Sequence, residues 1–424
     1  MTILIQNGLL INPRGTSGAY DILIDGSKVK AVAPRGQITA ADEVIDASGM
    51  WVMPGFVDMH CHLREPGQEH KEDIATGTLA AAYGGFTAVA CMPNTSPVND
   101  NEAVTRYILE RAKQAGFSRV YPIAAITKGL KGAELTEFGI LLENGAVAFS
   151  DDGRPVEEAN RMRLALQYAK GFDALLISHC EDLTIAGDGA MNEGVTSAVC
   201  GLKGISRAAE EVMIARELLL AEACGAKVHI AHISTKGGVE LLRQAKKRGV
   251  RATGETCPHY FSATDELCMN YDTNAKMNPP LRTCNDVEAI KQGLADGTID
   301  AIATDHAPHA KDEKRVEFQY APNGIIGLET AFSLAVTNLI EPGVLTPEQL
   351  VERLSCRPAE ILGVPGGLIA EGLPADITIA DPKAEMVYTE GSLHSKSANS
   401  PFLNRPYRGK VICTMMDGVV QARR

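Results

Sequence analysis

With 424 residues, 45% of them hydrophobic and 22% charged, the chain has the composition of an ordinary folded protein, long enough for one large α/β domain and an appendage. Its net charge of -12 argues against nucleic acid as a partner, which would want a basic face. There is no basic leader, no apolar run near the roughly 18 residues of a membrane span, and no Cys-x-x-Cys pair among ten scattered cysteines, so a cytoplasmic protein with reduced thiols and no membrane partner is expected.

Residues 1–53 read as short alternating strands at Ile3 to Ile5, Leu9 to Ile11, Asp21 to Asp25, Lys28 to Ala33 and Glu43 to Asp46, with tight turns at Asn7-Gly8 and Asp25-Gly26. Residues 366–424 repeat the style, with strand candidates at Asp376 to Ala380, Met386 to Thr389 and Val411 to Val420. Neither end has enough apolar surface to fold alone. The two are expected to pair into one small β-sandwich beside a main domain spanning 54–365.

In the main domain an apolar strand and an amphipathic helix alternate. Strands are predicted at Gly55 to His60, Phe86 to Met92, Val120 to Ile126, Ala146 to Ser150, Ala174 to His179, Lys227 to His232, Arg251 to Thr256 and Ile299 to Thr304. Helical periodicity fills the gaps, as at Ile74 to Tyr83, Val104 to Gln114, Glu157 to Lys170, Ala208 to Cys224, Gly238 to Arg248 and Asp286 to Ala295. Eight such units indicate a (β/α)8 TIM-like barrel. An open doubly wound sheet is the rival, but no Gly-x-Gly-x-x-Gly follows the first strand to favour it.

Chemistry in such a barrel sits where strands finish. The first strand ends in His60-Cys61-His62, whose alternation puts both imidazoles on one face, and Arg64 continues that face into the loop. The fourth ends in Ser150-Asp151-Asp152, the fifth in His179, the sixth in His232 and the eighth in Asp305. Imidazoles and carboxylates without thiolates suit zinc or a similar divalent ion, and six donors exceed the needs of one tetrahedral site. Two ions sharing a carboxylate fit better, which implies metal-assisted hydrolysis. Alternation shows only that either Asp151 or Asp152 faces inward.

The other histidines lack such company. His229 reads as a core group behind the site, His306 as pointing into the wall, and His70, His259 and His394 as having no donor neighbours. Residues 310–324 form a long charged loop after the last strand, which suggests a mobile lid, whereas Met92-Pro93-Asn94 should stay fixed.

The set Pro54 to Arg64, Met92-Pro93-Asn94-Thr95, Ser150 to Arg154, Lys276 to Arg282 and Thr304 to His309 closely resembles the bacterial type I dihydroorotases of the amidohydrolase superfamily, over nearly the whole chain. Many relatives bridge their metals with a carboxylated lysine on the fourth strand; here no lysine stands there, and the resemblance assigns the bridge to Asp152. It implies two zinc ions per subunit on His60, His62, Asp152, His179, His232 and Asp305, with Asp305 also carrying the proton. It further implies substrate contacts from His62, Arg64, Asn94, Asn278, His309, Asn323 and Gly324, and the reversible cyclisation of N-carbamoyl-L-aspartate to L-dihydroorotate in pyrimidine biosynthesis. A homodimer and association with aspartate transcarbamoylase are the implied assemblies. The competing readings are a dihydropyrimidinase or allantoinase type of enzyme, disfavoured by the missing lysine, and a non-catalytic scaffold for aspartate transcarbamoylase, which would have lost metal ligands that this chain retains.

Overall fold

In the computed structural model, which describes residues 1–424, the apolar runs become eight parallel strands. They are β1 (Phe56–Cys61), β2 (Phe86–Cys91), β3 (Arg119–Ala124), β4 (Ala148–Ser150), β5 (Leu176–Ser178), β6 (Val228–Ile230), β7 (Ala252–Thr256) and β8 (Ala301–Ile302), hydrogen-bonded in that order. Closure between β8 and β1 uses few ladder bonds. A single bridge joins Cys61 to His306, the His62 N–H donates to His306 O at 2.8 Å, and the Asp58 carboxylate accepts from the Thr304 N–H at 2.9 Å. Val57, Met59, Ala90, Ile123, Ala148, Ile177 and Ala301, from six strands, share one buried cluster, so the barrel is a packed core.

Most elements fall where periodicity places them, and the helices Ile74–Tyr83 and Ala208–Cys224 match residue for residue. Asp73 starts the first of these by accepting the Thr76 N–H at 2.8 Å, and Asn101 caps Glu102–Ala115 in the same way. Strands β5, β6 and β8 end earlier than expected, before His179, His232 and Asp305. His232 and Asp305 have φ of 33° and 44°, which takes them out of the extended conformation, and the Asp58 side chain has replaced the ladder partner of Thr304.

The termini interleave. A five-stranded sheet runs Val419–Arg423, Pro406–Met416, Ile377–Val387, Trp51–Pro54, Leu9–Leu10, and a four-stranded sheet runs Lys28–Pro34, Tyr20–Asp25, Thr2–Gln6, Glu43–Asp46. Ile5, Ile22, Ile24 and Ile45 of the second sheet meet Leu10, Val52, Ile377 and Met415 of the first in one buried cluster, which is the sandwich core. Three details differ from the sequence reading. Asn7-Gly8 does not make a hairpin: the chain crosses there from one sheet to the other, with Asn7 at φ 67°. The run from Val411 to Val420 is two strands, because Asp417 and Gly418 both take positive φ and turn the chain back on itself. Asp376 to Ala380 and Met386 to Thr389 belong to one bulged strand, Ile377–Val387, in place of two.

Candidate functional site

The C-terminal ends of β1, β4, β5, β6 and β8 bring His60, His62, Asp152, His179, His232 and Asp305 together, all buried. Nε2 of His60 lies 3.3 Å from Asp152 Oδ1 and 3.6 Å from Asp305 Oδ1. Nε2 of His62 is 3.1 Å from Asp305 Oδ1 and 3.5 Å from Asp152 Oδ2. Nε2 of His232 and Nδ1 of His179 approach Asp152 Oδ1 at 3.6 and 3.8 Å. Asp151 is turned away: its carboxylate accepts the N–H groups of Ile126 and Thr127 at 2.8 and 3.0 Å, tying the β3 and β4 loops together.

The outward nitrogens of three imidazoles are engaged. His60 Nδ1–H donates to Glu255 at 2.7 Å, His62 Nδ1–H to Asn94 Oδ1 at 2.9 Å, and His179 Nε2–H to Glu181 at 3.2 Å. Each bond orients its ring and aims the other nitrogen inward; His179 Nδ1 there meets His232 Nε2 at 2.8 Å. Burial alone would raise the Asp152 carboxyl, but the facing imidazoles of His60, His232 and His62 hold it well below the usual range, and His62 and His60 likewise lower Asp305. Imidazoles and ionised carboxylates therefore crowd one buried cluster. His60 Nε2 and Asp152 Oδ1 are both buried without a hydrogen-bond partner. Such an arrangement is unfavourable unless cations sit among the donors, and two overlapping triads could each hold one: His60–Asp152–His232 and His60–His62–Asp305. The residues present thus fit a two-metal centre.

All of these donors but His60 line a cavity of about 240 Å³, together with Arg64, Asn94, Asn278, His309, Asn323 and Gly324. Arg64, at φ 60°, is nearly buried; its Nε donates to Pro308 O at 3.1 Å, and its Nη groups bond no protein atom. Asn278 Nδ2 donates to Glu181 at 2.9 Å. His309 Nε2–H donates to Asn323 O at 2.8 Å, and burial together with the nearby Arg64, Lys71 and Lys314 charges pushes its pKa down to about 3. No lysine lines the cavity. The loop after β8 is tied down by Lys314, whose Nζ donates to the carbonyls of Thr273, Lys276 and Pro322.

His229 is behind the site, 3.2 Å from Glu255 Oε2, and His306 faces Glu72 at 3.4 Å, away from the cavity. His394 and His70 do have carboxylate neighbours: His394 Nδ1 is 2.9 Å from Glu329, and His70 Nε2 is 3.8 Å from Glu313. Sequence reasoning passed over Asp58, Glu255 and Glu181. A signal existed for the first two, each an acid inside an otherwise apolar or neutral strand, where an unpaired charge is not tolerated. Burial would raise Glu255, yet His60 and His229 hold it at about 2.

A family model described as "Dihydro-orotase-like" matches residues 49–238. The chain is 55% identical to the dihydroorotase of Geotalea daltonii, with 100% of both chains covered, and 53% identical to that of Acetivibrio thermocellus, with 99% of both covered. Among solved structures, the L-hydantoinase (dihydropyrimidinase) of Arthrobacter aurescens matches with a TM-score of 0.90 at 26% identity, over 99% of this chain and 96% of that one. No helix is long and apolar enough to cross a membrane.

Proposed function

The chain belongs to the dihydroorotase family of cyclic amide hydrolases, and from that premise we propose that its cavity interconverts N-carbamoyl-L-aspartate and L-dihydroorotate, releasing water on ring closure, as a step of pyrimidine synthesis. The observation that carries this reading is the joint lining of one small cavity by the donor cluster and by Arg64 and His309, so that a ring amide and a carboxylate on the same ring are addressed together.

Zinc is the proposed metal, two ions per chain that would be held by His60, His62, Asp152, His179, His232 and Asp305; Asp152, facing His60, His179 and His232 through Oδ1 and His62 through Oδ2, would be the carboxylate they share. Bound there, the pair would polarise the amide carbonyl and lower the pKa of water. In the hydrolytic direction Asp305 takes a proton from the attacking water as the C–O bond forms. It returns that proton to the ring nitrogen as the C–N bond breaks. Arg64 offers its free Nη groups to the substrate carboxylate in a charge-assisted pair. Asn94 holds the His62 tautomer while its amide nitrogen, which makes only a long 3.4 Å bond to Asp152 O, remains available to substrate. Asn278, Asn323 and Gly324 frame the ring. The family resemblance also supports work in the cytoplasm, as a homodimer that associates with aspartate transcarbamoylase; size-exclusion chromatography with and without that enzyme tests the assembly.

The decisive experiment is turnover of L-dihydroorotate and of 5,6-dihydrouracil by protein whose metal content has been measured. Strong preference for the carboxylated ring with about two zinc ions bound per chain is expected. Preference for the uncharged ring would make the enzyme a dihydropyrimidinase type, and no turnover of either by the zinc-loaded protein would leave a scaffold.

A further inference from the structure

The cavity lining is not held by the barrel alone. Asn399, from the segment that returns from the terminal sandwich, is 4% exposed and makes three side-chain hydrogen bonds, all to the loop after β8. Its Oδ1 accepts the His309 N–H at 3.0 Å, and its Nδ2 donates to Ala307 O at 3.1 Å and to Gly324 O at 3.0 Å. Its own carbonyl accepts the Ile326 N–H at 3.1 Å. The residues it joins, Ala307, His309 and Gly324, all line the cavity.

We infer that Asn399 is a positioning residue for substrate binding, clamping the two strands of the post-β8 loop so that His309 and Gly324 are presented together. The geometry demands this side chain. The site offers one donor and two acceptors, and only an amide supplies one acceptor and two donors in a single plane. The clamp must be tight, because a Cβ at Gly324 would lie 2.7 Å from Ala307 O and 2.9 Å from His309 Cδ2. The loop therefore has no slack by which His309 could recover its place after a shift. The segment carrying Asn399 is itself anchored: Ser395 and the Lys396 N–H bond to buried Glu72, the His394 N–H donates to Glu329 at 2.8 Å, and Ser397 Oγ donates to Lys71 O at 2.7 Å. A piece of chain remote from the barrel in sequence thus completes its binding pocket.

This inference rests on the reading of the cavity as a dihydroorotate site. The test is Asn399→Asp, which keeps the shape and the acceptor for His309 but sets a carboxylate oxygen against two carbonyls, with Asn399→Ser as the second variant should the first not fold. Steady-state kinetics on L-dihydroorotate and metal content are both measured. The expected result is a rise in KM of about tenfold or more, with kcat within about threefold of wild type and metal stoichiometry unchanged, since no metal donor touches Asn399. Unchanged KM in the folded variant, or a fall in kcat with loss of metal at unchanged KM, would overturn the positioning role. Failure of the wild type to turn over L-dihydroorotate would instead overturn the functional reading beneath it.

Discussion

Nδ1 of His60 donates to Glu255 across 2.7 Å, and both side chains are fully buried. The carboxylate fixes which nitrogen of His60 carries the proton and raises the basicity of the other, which points at Asp152 and Asp305. Glu255→Gln keeps the shape and removes the charge. Zinc affinity, measured by competition with a chelator, should fall about 10- to 100-fold. Wild-type affinity in the variant would reduce Glu255 to a packing group.

Arg64→Ala should cripple turnover by losing the substrate carboxylate. A hydrogen bond to a charged group contributes about 1.5–3 kcal/mol, so kcat/KM should drop at least roughly ten- to hundredfold, mainly through KM. Arg64→Lys should rescue little, because the Nε bond to Pro308 O and the planar pair of Nη groups disappear together. Unchanged kinetics would place Arg64 outside the binding site.

Asp305→Asn alters one atom, yet the amide cannot accept a proton at neutral pH. Loss of a general base typically lowers the rate by about two to four orders of magnitude. The rate should collapse with zinc still bound and circular dichroism unchanged. Near wild-type turnover by metal-replete protein would leave Asp305 as a ligand alone.

His259 is buried, its Nε2 bonds nothing, and burial holds its pKa at about 4. An unfolded histidine titrates near 6.5, so between about pH 6.5 and 4 the unfolded chain takes up a proton that the folded chain refuses, and stability falls as pH falls through that window. The slope from this one group approaches about 1.4 kcal/mol per pH unit. Urea unfolding of wild type and of His259→Phe between pH 7 and 5 should show a shallower pH dependence in the variant; parallel curves would mean that His259 charges equally in both states.

Periodicity alone specified the barrel, because alternation with a period of two and of 3.6 is a local property of the chain. It also placed His60, His62, His179, His232 and Asp305 at strand ends, and every residue named from the sequence as a metal or substrate contact lies in the donor cluster or in the cavity beside it. What it left open was decided by contacts distant in sequence. Asp151 and Asp152 are adjacent and equally acidic; the N–H groups of Ile126 and Thr127 capture the first, which leaves the second to face the histidines. Glu255 supports His60 from 195 residues away, and Asn399 reaches His309 across 90. No local pattern encodes such pairs, because hydrogen bonds between buried side chains form only once the hydrophobic core has brought their strands together. The sequence determined which residues could gather at the mouth of the barrel, and tertiary packing determined which way each of them points.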